Sequence, residues 1–263
     1  MNTGVDMSAE FRGKTVIVTG AGRGIGQGIA QHMASLGATV VAVDSVERRL
    51  TRAQESLTAV EGKVIPLVTD VTSVAELQRL VDTVLQKCGS IDYLVNNAGV
   101  ARQKPFLEYD EADYVLQVDV NYKGTFFATQ LCAREMVKRK KGAVVNIASI
   151  SAWHYTIPHS IYSGAKAAVV TFTRDAAYEL GPHGVRVNCV APGPIETPLA
   201  AQMGASEKAG YDSVLRLGRW GQPLDIAHAV EFLCSERSAF ITGQTLSVAG
   251  GADLCVLPAK AKQ

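Results

Sequence analysis

The sequence predicts an α/β fold, a doubly wound parallel sheet of seven strands with helices on both faces. Three observations carry that prediction. Short β-branched runs alternate with longer amphipathic stretches from one end of the chain to the other. The runs are nearly continuous in apolar character, as strands covered on both faces require. No internal repeat, low-complexity tract or Pro-, Gly- or Ser-rich linker divides the chain, so residues 1–263 read as a single domain. The 263 residues suit this reading, since α/β folds commonly run past 200 residues undivided.

Composition narrows the class of function. Hydrophobic residues at 47% and charged residues at 19% suit a packed core and exclude a disordered chain. Lys and Arg number 26 against 25 Asp and Glu, with no basic run, which leaves nucleic acid without an electrostatic footprint. Cys88, Cys132, Cys189, Cys234 and Cys255 are scattered, with no CxxC pair and no His at ligand spacing. That pattern predicts reduced thiols in a cytoplasmic protein and no metal site. The opening MNTGVDMSAEF has no basic region followed by an apolar stretch, and no apolar run is long enough for a bilayer. Neither a signal peptide nor a membrane partner is therefore expected.

The first strand, Thr15–Thr19, leads into Thr19-Gly20-x-x-x-Gly24-Ile25-Gly26 and then a helical pattern near 24–36. The strict GxGxxG pattern is not met, but the physical demand is similar. Small residues let the backbone turn sharply and approach a pyrophosphate, and the helix presents free N–H groups to it. The second strand, Thr39–Val43, ends on Asp44, placed to accept hydrogen bonds from ribose hydroxyls. The same carboxylate repels a 2′-phosphate, which favours NAD over NADP. Arg23, inside the turn, is the opposing signal, and Asp44 would equally suit a helix cap.

A helical pattern near 46–59 precedes the third strand, Val64–Val68, followed by Asp70 and Val71. After a helix near 73–88 comes Tyr93–Val95, ending in Asn96-Asn97-Ala98-Gly99. Asp70, Asn97, Ala98 and Gly99 could line adenine and ribose pockets across the switch point of the sheet, or serve as turn residues. A long helical stretch, 111–138, leads to the fifth strand, Ala143–Ile147, and to Ser149. Residues 149–160 and 191–222 are long connections after strand ends, where open α/β sheets bind ligands. Between them lie a helix near 161–180 and the strand Val185–Val190; a helix near 223–235 and the strand Thr245–Val248 complete the order.

Tyr162 and Lys166 stand four apart on one helix face, thirteen residues after Ser149 at the end of a strand. Interconverting a ketone and a secondary alcohol needs a group that gives or takes a proton. A phenol titrates near pH 10, so it serves near neutrality only if a positive neighbour favours phenolate. Lys166 supplies that charge and could reach the nicotinamide ribose. Ser149 would hold the substrate oxygen, and Asn121 could keep a water that passes the proton onward.

These motifs resemble the short-chain dehydrogenase/reductase family. The likeness runs over about residues 11–251 and rests on TGAGRGIG (19–26), Asp70, NNAG (96–99) and Asn121 in NYKG. It continues through Ser149, Tyr162-Ser-Gly-Ala-Lys166, RVNCVAPG (186–193) with Thr197, and RWGQPLDIA (219–227). The resemblance implies a Rossmann-type sheet of seven strands and a tetrad of Asn121, Ser149, Tyr162 and Lys166. It implies a cofactor site of Gly20, Arg23, Gly24, Ile25, Gly26, Asp44, Asp70, Val71, Asn97, Ala98 and Gly99. Tyr162, Lys166, Pro192, Gly193, Ile195 and Thr197 complete that site at the nicotinamide end. A homo-oligomer, usually a tetramer, built on the two long helices and the last strand is also implied. One departure is Val248-Ala249-Gly250-Gly251 where the family often reads Val-Asp-Gly-Gly.

Substrate choice falls to loops. Trp153, His154, Tyr155 and His159 crowd the segment between Ser149 and Tyr162, a lining that suits a sugar, polyol or hydroxy acid. Each could instead belong to a subunit interface. A lid over about 194–220 holds Leu199, Met203, Tyr211 and Leu215, and the tail 252–263 either reaches a neighbouring subunit or frays. A competing assignment is an NADP-dependent 3-oxoacyl-(acyl-carrier-protein) reductase. Resemblance to those enzymes, which dock an acidic carrier on arginines, implies Arg134 at one docking position and Tyr178 in place of an arginine at the other. A non-catalytic cofactor-binding module is a further alternative, opposed by the intact Ser149, Tyr162 and Lys166.

Overall fold

The computed structural model describes residues 10–55, 62–154, 157–198 and 200–254. Seven strands form one parallel sheet in the order β3-β2-β1-β4-β5-β6-β7. They are β1 Thr15–Thr19, β2 Thr39–Asp44, β3 Lys63–Val68, β4 Tyr93–Asn96, β5 Gly142–Ile147, β6 Val185–Pro192 and β7 Thr245–Val248. The expected sheet of seven strands with helices on both faces is thus the observed one. The order reverses between β1 and β4, which opens a crevice at the carboxyl ends of those strands.

Successive strand residues face opposite sides, so each strand feeds two cores. Val16 and Val18 pack with Ile29 and Met33 of helix α1 (Gly24–Ser35) and Ile226 and Val230 of α8 (Pro223–Cys234). Ile17, Val41 and Val43 face the other way, onto α3 (Val74–Cys88) and α5 (Gly124–Lys138) through Leu77, Val84, Leu131 and Met136. Burial on both faces is why the strands lack polar alternation. At the sheet edge β3 is only partly buried and carries Pro66, a residue a central strand could not hold without losing a ladder bond.

Two helical regions depart from the sequence expectation. The stretch 111–138 is broken into α4 (Glu111–Val118), a π-helical turn over Asp119–Lys123, and α5. The cause is Asn121, whose side-chain amide donates to the Gln117 carbonyl at 2.8 Å and so competes with the main-chain ladder. The region 191–222, expected to be a loop, contains a 3₁₀ turn (Ala200–Gln202) and α7 (Ala205–Val214). The other helices are α2 (Glu47–Glu55) and the long α6 (Ser160–Leu180). At the C-terminus Asp253 hydrogen-bonds Ser247, while Cys255 and the rest of the expected tail, to 263, lie outside the described residues.

A chain of buried amides and hydroxyls fixes α6 to the sheet. Asn96 on β4 donates to Asn146 on β5 at 2.9 Å and to Thr129 on α5 at 2.8 Å. Asn146 in turn donates to Thr173 on α6 at 3.0 Å. Polar groups so deeply buried are tolerated because each finds a partner.

Candidate active site

The turn after β1 sits at the centre of the crevice. Gly20 has φ +65°, a left-handed conformation that side-chain-bearing residues adopt only under strain. A Cβ on Gly26 would lie 2.3 Å from the Gly20 carbonyl oxygen and 2.4 Å from the Asn97 amide nitrogen. The turn can therefore pack this tightly only with glycine there. Arg23, at the N-cap of α1, makes no side-chain cap, and the first turn holds no acid. The leading amides of α1 and its positive dipole end are thus left to an anionic ligand, a fit for a dinucleotide pyrophosphate.

Gly20, Arg23, Gly24 and Ile25 line one stretch of a cleft of about 450 Å³ that continues to the end of β6. At one end Asp44, 6% exposed, accepts hydrogen bonds from the amides of Gly22 (3.3 Å) and Val46 (3.0 Å). It also pairs with Arg49 at 3.4 Å. Arg49, in the first turn of α2, lines the cleft beside Gly22 and was missed in the sequence; its spacing from Asp44 is the signal that could have found it. Asn97 donates to the carbonyls of Thr19 (2.9 Å) and Gly20 (3.2 Å), while the Asn97 and Ala98 amides both donate to the Thr19 hydroxyl. This stitches β4 to β1 and leaves Asn97 and Gly99 on the cleft wall, with Ala98 behind them.

Asp70 and Val71 are not brought into the lining. Asp70 is exposed and caps its own turn through Thr72, and Val71 packs against Gly124. Both follow the edge strand β3, one strand beyond Asp44 on β2.

The other end of the cleft gathers Ser149, His159, Tyr162 and Lys166. Burial pushes the Tyr162 hydroxyl up to about 12, against the lowering effect of its hydrogen bond with Ser149. Lys166 is 3% exposed, and burial pushes it down to about 8. Its ammonium donates to the Ile147 carbonyl at 2.8 Å and lies 5.6 Å from the Tyr162 ring centre. A phenol that keeps its proton beside an amine that readily gives one up is a proton-transfer pair. Asn121 is fully buried, donates to the Val100 and Gln117 carbonyls, and accepts from the Val100 amide at 3.2 Å. Its side chain is a brace for the loop after β4.

His159 packs its ring 5.1 Å from that of Tyr162, and burial pushes it down to about 4. Because the folded protein resists protonating it, stability present above about pH 6.5 is lost as pH falls towards 4, by roughly 3 kcal/mol at most. Urea titrations at pH 7 and pH 5 should show a larger loss for the wild type than for His159→Gln. Equal losses would mean that His159 does not carry this linkage.

Trp153 and His154 are not in the cleft. The 3₁₀ turn Ile150–Ala152 buries Ile150 and Ser151 and leaves Trp153, 44% exposed, stacked edgewise on His154. Tyr155 and Leu199 lie outside the described residues. Pro192, Gly193, Ile195 and Thr197 all line the cleft, and Ala249 packs where a Gly193 Cβ would lie 2.7 Å from its Cα. The lid's two legs are joined by an Ile195–Gly221 bridge, by Gln222 donating to Glu196 at 2.7 Å, and by the Glu196 amide donating to the Gly221 carbonyl. Met203 and Tyr211 of the lid line the cleft, with Trp220, whereas Leu215 packs against Gly250 instead. The lining from Val100 to Gln103 was also missed; its signal is its position directly after NNAG at a strand end.

A crevice shaped for a dinucleotide that ends in a Ser–Tyr–Lys cluster defines a nucleotide-dependent oxidoreductase. Comparison with known proteins agrees. A family model described as enoyl-(acyl carrier protein) reductase matches residues 20–253. The 3-oxoacyl-[acyl-carrier-protein] reductase FabG of Thermotoga maritima is 36% identical over 92% of this chain and 98% of its own length. Among solved structures, a 7α-hydroxysteroid dehydrogenase complexed with NADH and 7-oxo glycochenodeoxycholic acid has a TM-score of 0.88 at 35% identity, covering 93% of this chain and 96% of its own. A putative 2-deoxy-D-gluconate 3-dehydrogenase from Agrobacterium tumefaciens with bound NADP has a TM-score of 0.86 at 33% identity, covering 94% and 98%. The chain belongs to the short-chain dehydrogenase/reductase family, oxidoreductases that act on CH–OH groups with a nicotinamide cofactor.

Proposed function

We propose that the protein is an NAD-dependent dehydrogenase that interconverts a secondary alcohol and a ketone on a polar small molecule such as a sugar, polyol or hydroxy acid. The observation that carries this reading is the meeting of Ser149, Tyr162 and Lys166 in one cleft whose far end is closed by Asp44. When bound, the nicotinamide supplies or takes hydride at the substrate carbon. Ser149 orients the substrate oxygen, and Tyr162 gives or takes its proton. Lys166 holds positive charge beside the phenol, and water near Asn121 carries the proton onward. Gly20, Gly24, Asp44 and Asn97 would hold the dinucleotide's nucleotide half, and Pro192, Gly193, Ile195 and Thr197 its nicotinamide.

Asp44 supports NAD because a buried carboxylate held by two amides cannot swing away from a 2′-phosphate. Arg23 and Arg49 beside it favour a second reading, an NADP-dependent 3-oxoacyl-(acyl-carrier-protein) reductase. Kinetics with both cofactors across secondary alcohols and a 3-hydroxyacyl thioester separate the two. The expected kcat/KM preference for NAD is about tenfold or more, and Asp44→Ala should reverse it, leaving both arginines unopposed. A wild-type preference for NADP with the thioester would establish the second reading.

Oligomerisation belongs to the same proposal. Tyr178 on α6, Phe240, and Leu246 on the edge strand β7 are exposed, as are Tyr114 and Val115 on α4, and a tetramer would cover them. Among the described residues Cys88, Cys132, Cys189 and Cys234 are free thiols, and no helix is long and apolar enough to cross a membrane. Both suit the cytoplasm as the place of action.

A further inference from the structure

The charges lining the cleft are unbalanced over its whole length. Four cations line it: Arg23, Arg49, Arg102 and Lys166. Among the described lining residues Asp44 is the sole acid, and it is paired with Arg49. Arg23 stands at the N-cap of α1, where a pyrophosphate would sit, and Lys166 is bonded to the Ile147 carbonyl. Arg102 differs from these three. It is exposed, and its guanidinium makes no ion pair or hydrogen bond among the described residues. The neighbouring Lys104 is by contrast engaged by Asp110 and Asp113.

The main chain of Arg102 is nevertheless pinned from both sides. Its amide donates to the Gln117 side-chain oxygen at 2.9 Å, and Gln117 is fully buried. Its carbonyl accepts from the Tyr109 hydroxyl at 2.7 Å. The same loop is tied to the entrance of α6, where the Lys104 amide donates to the Pro158 carbonyl at 3.2 Å. Pro158 immediately precedes His159, whose ring packs on Tyr162. An unpaired guanidinium is thus held on a braced corner that also carries the residue touching the catalytic phenol. Committing a buried glutamine to fixing the backbone of an exposed arginine suits a binding group more than a solvated surface charge.

We infer that Arg102 recognises a carboxylate on the substrate, so that the preferred substrate is a hydroxy acid or sugar acid rather than a neutral polyol. This rests on the oxidoreductase reading above and narrows its substrate class. A carboxylate suits the site because Arg102 lines the same cleft as Ser149 and Tyr162, on a loop bonded to Pro158 at the entrance of α6, and because a guanidinium fork matches carboxylate geometry.

The test pairs acids with neutral counterparts: 3-hydroxybutyrate with 3-hydroxybutyramide, and gluconate with sorbitol. The N-acetylcysteamine thioester of 3-hydroxybutyrate is included as a neutral acyl substrate. The wild type should favour the acid of a pair by about tenfold or more in kcat/KM. In Arg102→Gln the acid-to-neutral ratio should fall to near one, and Arg102→Lys should restore part of it. Thermal shifts of the same variants, saturated with reduced cofactor and titrated with acetoacetate or acetoacetamide, report the preference without turnover. A wild-type ratio near one, a thioester preferred over both acids, or a ratio that survives Arg102→Gln would overturn the inference while leaving the dehydrogenase reading intact. Absence of turnover on every alcohol, alongside a carboxylate-dependent thermal shift that Arg102→Gln removes, would sink the dehydrogenase reading instead.

Discussion

Replacing Tyr162 with Phe is expected to lower turnover by a factor of about a thousand or more while leaving cofactor affinity within about twofold. Positioned acid–base groups contribute roughly 10²- to 10⁴-fold, and the groups packed around this one are poor substitutes. Ser149 hydrogen-bonds the phenol but has no accessible charge state, Lys166 is bonded to Ile147, and His159 is held neutral by burial. The aromatic ring itself stays, so its packing on His159 and its contact with the Lys166 ammonium persist. Losing the hydroxyl removes one hydrogen bond, about 1 kcal/mol, which a folded enzyme tolerates. Steady-state rates together with NADH fluorescence titration check both halves. A Phe variant within tenfold of wild-type turnover would rule out Tyr162 as the proton donor.

The same geometry sets a pH dependence in the wild type. Tyr162, pushed up to about 12, is protonated throughout the neutral range and is ready to act as an acid in ketone reduction. Lys166, pushed down to about 8, keeps its ammonium only below that pH. Only Lys166 of this pair titrates near neutrality, so the wild-type rate of ketone reduction should fall as pH rises through about 8, and a rate flat from about pH 7 to 10 would remove Lys166 from the proton supply.

Much of this arrangement was legible in the sequence, for reasons that differ between its parts. Strands buried on both faces must be apolar throughout, so Thr15–Thr19 could be delimited from residue type alone. The glycine turn was legible because crowding at Gly26 tolerates no other residue, and Tyr162 and Lys166 because helical spacing puts them together. Arg49 and Arg102 were legible only by their positions after Asp44 and after NNAG, not by any pattern of their own. A surface arginine is common on any helix or loop, and the place of these two in the cleft depends on where Asp44 and Gln117 anchor the chain around them. Trp153 shows the converse: residues of suitable chemistry in the right loop were turned outward by a short 3₁₀ turn that the sequence does not mark. The interruption at Asn121 escaped notice because apolar periodicity survives a single π turn; only the competition of its amide for the Gln117 carbonyl reveals it.

Replacing Asn146 with Leu should cost about 3 kcal/mol of stability, although the residue touches neither cleft nor solvent. Asn146 is fully buried and both ends of its amide are used, accepting from Asn96 and donating to Thr173. A Leu leaves the Asn96 donor with Thr129 and a longer bond to the Thr125 carbonyl, and deprives the Thr173 hydroxyl of its donor. Thr173 still donates to the Val169 carbonyl at 2.8 Å, so its loss is partial. If the penalty comes from stranded partners, Thr173→Val should be less harmful in the Leu background than alone, by about 1 kcal/mol. Simple additivity in urea titrations would show that packing volume, not hydrogen bonding, sets the cost. Catalysis provides an independent reading of the same link. Thr173 lies two turns beyond Lys166 on α6, and the Ile147 carbonyl that holds Lys166 directly follows Asn146. Loosening this joint should therefore lower kcat more than it raises KM, because what shifts is the proton-transfer pair rather than the walls that bind substrate.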